Sequence, residues 1–122
     1  MQNAAQTYGN VAKQISSPRN LEADLLLKAA SRLQSVHDSW ADKKQLLDEA
    51  LRYNRELWAI FLSSATDKDN PLPADIRQNV ANLGLFVMNH TLATISDPRP
   101  EQLTSLININ RELAAGLMGR AA

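Results

Sequence analysis

Leu47-Asp48-Glu49-Ala50-Leu51-Arg52-Tyr53-Asn54-Arg55-Glu56-Leu57-Trp58-Ala59-Ile60-Phe61-Leu62-Ser63-Ser64-Ala65 is the stretch that settles the class of fold. Leu47, Ala50, Leu51, Asn54, Leu57, Trp58, Phe61 and Ala65 recur at three- and four-residue steps, which gathers them on one wide arc of a helix. Asp48, Arg52, Arg55, Glu56 and Ser63 take the opposite side. This is the pattern of an amphipathic helix packed on one face, and it predicts a helix from about Asp42 to Ala65.

The same period extends both ways between proline-marked breaks. Upstream, Ser17 is placed to cap and Pro18 to open a helix, where the missing amide costs nothing. Leu21, Leu25, Ala29, Leu33, Val36 and Trp40 follow at helical spacing, and Asp24 and Lys28 are set for an i,i+4 ion pair. The period falters at Ser39 to Asp42. Further upstream, Asn3 to Ile15 reads as a short helix with Tyr8, Val11 and Ile15 on one face. Gly9 weakens it, so it needs a surface to dock on.

Downstream, Asp67-Lys68-Asp69-Asn70-Pro71-Leu72-Pro73 is the strongest break. The helix opening at Pro73 has Asp75 near its positive end. It carries two apolar stripes. Ile76, Val80, Leu83, Val87 and Thr91 form one; Leu85, Met88, Leu92 and Ile95 form the other. After Ser96-Asp97-Pro98-Arg99-Pro100, Leu103, Leu106, Ile107, Leu113, Ala114 and Leu117 mark a last helix, with Gly116 and Gly119 at its end. No strand-like alternation is present. The expectation is an all-α fold: one domain over residues 1–122, a helical bundle of four main helices plus a short N-terminal helix, with antiparallel neighbours because the connections are short.

Composition narrows the function. The chain has 122 residues, one domain's worth. Its apolar fraction is 44% but only 5% is aromatic, so aliphatic side chains and alanine, which favour helices, must build the core. Thirteen basic residues cancel thirteen acidic ones. Without a net positive field the chain lacks the main source of nucleic-acid affinity, and direct nucleic-acid binding is disfavoured. The absence of cysteine removes disulfides, thiolate metal sites and cysteine nucleophiles, and fits a reducing compartment. Met1-Gln2-Asn3-Ala4-Ala5-Gln6 has neither a basic leader nor an apolar run, so no signal peptide is read there. Apolar runs such as Leu85-Phe86-Val87-Met88 are far shorter than the roughly 20 residues of a membrane span. No membrane insertion is expected, and the location expected is the cytoplasm.

No chemistry-bearing constellation emerges. His37 and His90 lie on different helices, without companions at metal-ligand spacing. Asp67-Lys68-Asp69-Asn70 begins like a calcium loop, but Leu72 stands where glycine is needed and Gln78 where glutamate is needed. The glycines are scattered and build no phosphate loop. Arg52 and Arg55 share a face with Asp48, Glu49 and Glu56 nearby, the pattern of a solvated surface. No catalytic residue, metal or cofactor is expected, and the chain reads as a binding protein. The second stripe, Leu85, Met88, Leu92 and Ile95, is the candidate partner surface, or else a second buried face, since a helix central to the bundle would also be apolar on two sides. Tyr8 and Val11 of the N-terminal segment join it, as the residues that would cover it when no partner is bound.

Several blocks resemble the FlaF family of flagellar biosynthesis proteins of alphaproteobacteria. They are Gln2-Asn3-Ala4-Ala5-Gln6-Thr7-Tyr8-Gly9; Ser17-Pro18-Arg19-Asn20-Leu21-Glu22 leading into Leu25-Leu26-Leu27-Lys28-Ala29-Ala30; Tyr53-Asn54-Arg55-Glu56-Leu57-Trp58 with Phe61-Leu62; Asn70-Pro71-Leu72-Pro73; Arg77-Gln78-Asn79-Val80-Ala81-Asn82-Leu83; and Ile109-Asn110-Arg111-Glu112-Leu113-Ala114-Ala115-Gly116-Leu117. They run in order along nearly the whole chain. Asn20 departs from the family pattern, where glutamate would complete a capping box with Ser17. The resemblance implies a small, helical, non-enzymatic factor tied to production and export of flagellin, the filament subunit, acting with the regulator FlbT. Flagellin is then the expected partner, covered as a chaperone covers it. Two alternatives stand beside this: a post-transcriptional regulator acting on flagellin mRNA, directly or with FlbT, and a module that forms a homodimer through the spare stripe.

Overall fold

The computed structural model describes residues 18–119. The elements are α1 (Pro18–Asp38), a one-turn α2 (Trp40–Lys43), a 3-10 turn (Lys44–Leu46), α3 (Leu47–Ala65), α4 (Ala74–Ser96) and α5 (Glu101–Leu117). Among the described residues there is no strand, so the all-α reading and its four main helices hold. The expected N-terminal helix with Tyr8 and Val11, and the cap at Ser17, lie outside the described residues.

Two expectations along the first half are corrected. The third helix does not start at Asp42. Ser39 leaves helical geometry (φ −128°, ψ 45°), and its carbonyl accepts from Asp42 and Lys43 at 2.9 and 2.8 Å, winding the separate turn that precedes α3. The buried face of α1 is also rotated from the one anticipated. Ala23, Leu26, Ala29, Ala30, Leu33 and Val36 are buried, whereas Leu21 is 45% exposed and Leu25 and Trp40 are half-buried. α1 packs most closely against α5, where Ala23, Ala30 and Ala114 are all buried. Small side chains allow that close approach. The Asp24–Lys28 pair is not closed; the ion pairs among the described residues are His37–Asp38 and those of Arg99 with Asp97 and Glu101.

α3 follows its arc: all eight residues named for it are buried. At the centre Trp58 is fully buried and meets Phe61 edge-on, with ring centroids 5.5 Å apart. Trp58 Nε1 donates to Asn110 Oδ1 at 2.9 Å. Asn110 Nδ2 donates to Asn54 Oδ1 at 2.7 Å and to the Leu26 carbonyl at 3.3 Å. One polar cluster thus ties α1, α3 and α5 together, and because each bond needs one rotational setting of each helix, it fixes their register. Arg32 of α1 adds a cation over the Tyr53 ring, 4.2 Å from its centroid.

Asn70 builds the turn into α4. Its Nδ2 donates to the Ser64 carbonyl and hydroxyl, each at 3.0 Å, and its Oδ1 accepts from the Leu72 amide at 2.8 Å. Pro73, extended at φ −55° and ψ 150°, then caps α4, and the Arg77 amide bonds its carbonyl. Leu62 of α3 lies against Gly84 of α4, and Leu51 shares a cleft with Ile95, so the two helices run antiparallel. α4 is packed mainly on α3 and touches α5 only lightly. That lopsided packing decides which side of α4 stays open.

Candidate partner-binding surface

α4 reaches α3 through residues that can be buried at no polar cost. Gly84 has no Cβ; one built there would stand 2.6 Å from Leu62 Cγ and Cδ2, so only glycine permits this approach. Thr91 and Thr94 are buried, but each hydroxyl donates one turn back, to the Val87 carbonyl at 2.6 Å and the His90 carbonyl at 2.8 Å. With Val80 and Val87 these residues are the buried face of α4. The first apolar stripe therefore belongs largely to the core: Val80, Val87 and Thr91 are buried, Leu83 is half-buried, and only Ile76 at the N-terminal end is exposed.

The second stripe does not enter the core. Leu85 is 60% exposed, Leu92 58% and Ile95 47%, while Met88 is half-buried against the core's edge. Their 3-4-3 spacing is that of one seam of a coiled coil. Three large aliphatic side chains stand in solvent along one side of a helix that is anchored to α3 through a different face. Tyr8 and Val11, expected beside it, lie outside the described residues.

At its C-terminal end the seam runs into a cleft of about 450 Å³, where Ile95 and Thr91 face Asp48, Glu49, Arg52 and Arg55 of α3. These charges read in the sequence as plain solvated surface. Their position beside the seam follows from the antiparallel α3–α4 packing, which sequence periodicity does not specify.

Around the other side of α4, Phe86 (45% exposed) stacks on His90, with centroids 5.2 Å apart and planes 15° off parallel. His90 Nε2 donates to the Gln102 carbonyl at 2.7 Å, holding the start of α5. Toward the opposite end α4 and α5 diverge around a second cleft of about 470 Å³, lined by Leu72, Ile76, Leu83, Ile109, Leu113 and Leu117. The sequence reading missed this cleft. Its signal was Leu72, an isolated leucine held between two prolines. A smaller pocket beside it includes Glu22 of α1, whose half-buried carboxyl is pushed up by burial, with Arg19 opposing.

Neither region assembles chemistry. Among the described residues no group of three or more His, Cys, Asp or Glu is placed to hold a metal ion. None of the described helices is long and apolar enough to cross a membrane. What the surface offers is shape, apolar area and a charged rim.

No curated protein and no solved structure matches the chain. The profile of the family described as flagellar protein FlaF matches residues 4–117, spanning every helix described above. The family resemblance read from the sequence blocks is thereby established, and the chain belongs to the FlaF family of flagellar proteins.

Proposed function

We propose that this protein is a non-enzymatic binding factor of the cytoplasm that holds flagellin before assembly, and that the α4 seam is where it does so. The observation that carries this reading is the exposure of Leu85, Leu92 and Ile95 at coiled-coil spacing on a helix already anchored by its other face. Flagellin's terminal segments become helical in the filament and are apolar on one face. Before assembly that face needs a cover. An amphipathic helix laid along a rigid apolar seam is a standard recognition mode, and it uses only features this molecule has. Met88 suits it, since an unbranched thioether adapts to the side chains opposite. Zero net charge continues to weigh against RNA as the primary ligand.

The test uses the full-length protein and purified monomeric flagellin. Leu92→Gln is expected to lower flagellin affinity at least tenfold while leaving the thermal midpoint nearly unchanged. Failure of the wild-type protein to bind flagellin ends the proposal. Selective binding to flagellin leader RNA, with flagellin ignored, puts the mRNA-regulator reading in its place.

A further inference from the structure

The seam alone would accept any amphipathic helix, but its rim is not neutral along its length. Asp48, Glu49, Arg52 and Arg55 all line the cleft that Ile95 and Thr91 enter, and among the described residues none of the four closes an ion pair. They are segregated along α3: the two acids come first and the two arginines about one turn later. Because α3 and α4 are antiparallel, Arg52 and Arg55 stand beside the last turn or two of the seam, and Asp48 and Glu49 lie beyond its end. All four are exposed. At i,i+4 spacing Asp48 and Arg52 could pair with each other, yet they do not; both remain available to a ligand.

We propose that this dipolar rim selects and orients the helix that occupies the seam: the partner presents a carboxylate to Arg52 and Arg55 and, one turn farther toward the C-terminal end of α4, a lysine or arginine to Asp48 and Glu49. The proposal rests on the seam being the binding site and adds the chemistry of its occupant. Guanidinium groups beside an apolar wall favour carboxylates over other acceptors, because the planar fork matches two oxygens. Rim charges of this kind act on encounter and on choice of partner more than on final affinity. A second copy of this chain carries the same four charges beside its own seam, so self-association is the outcome that competes with this occupant.

The experiment measures binding of monomeric flagellin to the full-length protein and its variants at low and high ionic strength. Arg52→Glu with Arg55→Glu is expected to weaken binding at least tenfold at low salt; Arg52→Gln with Arg55→Gln should weaken it by less. Asp48→Lys with Glu49→Lys should also weaken it. All three gaps should narrow at high salt, since exposed pairs are screened. Equal loss from the neutral and reversed arginine pairs, or a gap that survives high salt, overturns the electrostatic role. If Leu92→Gln abolishes binding and the charge variants bind like wild type, the rim inference falls and the seam stands. If Leu92→Gln is also harmless, the seam itself is not the site. Self-association of the protein that Leu92→Gln disrupts assigns the seam to a second copy and overturns the proposal.

Discussion

Two regions of this molecule invert the usual placement of side chains. In the core Asn54 and Asn110 are fully buried and hydrogen-bonded to each other, and Asn110 also accepts from Trp58. On α4, Leu85, Leu92 and Ile95 stand in solvent. Burying two amides costs free energy that an aliphatic pair would not, and the bonds recover only part of it, since Asn54 Nδ2 has no partner among the described residues. Exposing three aliphatic side chains forgoes stabilisation that a few more residues of covering chain would supply. The difference teaches where each exception acts. The core exception stabilises one arrangement of α1, α3 and α5, and the surface exception contributes nothing to the folded chain by itself. Substitutions at the first should therefore be read in stability, and at the second in binding.

The largest expected effect breaks the core side of the comparison. Asn110→Ala leaves the Trp58 indole N–H without its acceptor and Asn54 Oδ1 without its donor. It also opens space in a packed centre. The expected loss is about 2–4 kcal/mol, combining an orphaned buried pair with a small cavity. Urea unfolding followed by circular dichroism, with the fluorescence of Trp40 and Trp58 as a second probe, measures it. A loss below about 0.5 kcal/mol, the range of ordinary surface substitutions, would show that the cluster does not fix the three helices.

How much of this was legible before the structure is seen in the same residues. Asn54 sat on the apolar arc of α3, so its burial followed from periodicity. Its partner did not, because a period says which face a residue is on and not what lies opposite. A signal existed: Asn-Arg-Glu-Leu occurs at both 54–57 and 110–113, and the first residue of each is the buried asparagine. On α1 the leucines at 21, 25, 26 and 27 leave the face nearly undetermined. The buried alanines decide it, since they let α5 approach. For α4 both stripes were legible in the helical period, yet which one stays outside depends on α3 and α5 packing to one side, a tertiary fact.

A pair of glycine substitutions sharpens the claim that α4 is anchored by its inner face. Gly84→Ala forces a methyl into Leu62, 2.6 Å from its Cγ, which is too near the branch point for a simple rotamer change to relieve. The expected cost is about 1–2 kcal/mol, overpacking partly offset by alanine's better helix propensity. Gly116→Ala in α5 meets nothing within 4 Å and should stabilise by about 0.5–1 kcal/mol. Opposite signs in thermal unfolding are the expected result. Equal signs would mean that the α3–α4 contact is looser than described.

The surface side predicts small changes in stability. Leu85→Gln and Leu92→Gln should each alter unfolding free energy by no more than about 0.5 kcal/mol, as at other exposed positions. Met88→Gln, half-buried, should cost about 1 kcal/mol. A loss of 1–3 kcal/mol at Leu92, the range for a poorly paired buried polar group, would move the seam into the core and erase the contrast.

Glu22 tests the boundary between the two regions, a charged group half-buried at the core's edge. Burial raises its folded-state pKa above the ordinary 4.5, and Arg19 only partly opposes this. The folded chain therefore holds the proton to higher pH than the unfolded chain does. Between the two pKa values the native state binds more protons, so stability contributed at this position is fully present below about pH 4.5 and is lost as pH rises through the folded value. Glu22→Gln keeps the shape and removes the titration. The variant should be slightly more stable than wild type at pH 7, and that advantage should shrink to nothing near pH 4. Thermal midpoints of both proteins across this range give the comparison as a difference, in which the acid response of every other carboxylate cancels. An advantage that grows toward acid would have the opposite sign, and would mean that Arg19 outweighs burial and that Glu22 behaves as a surface ion pair.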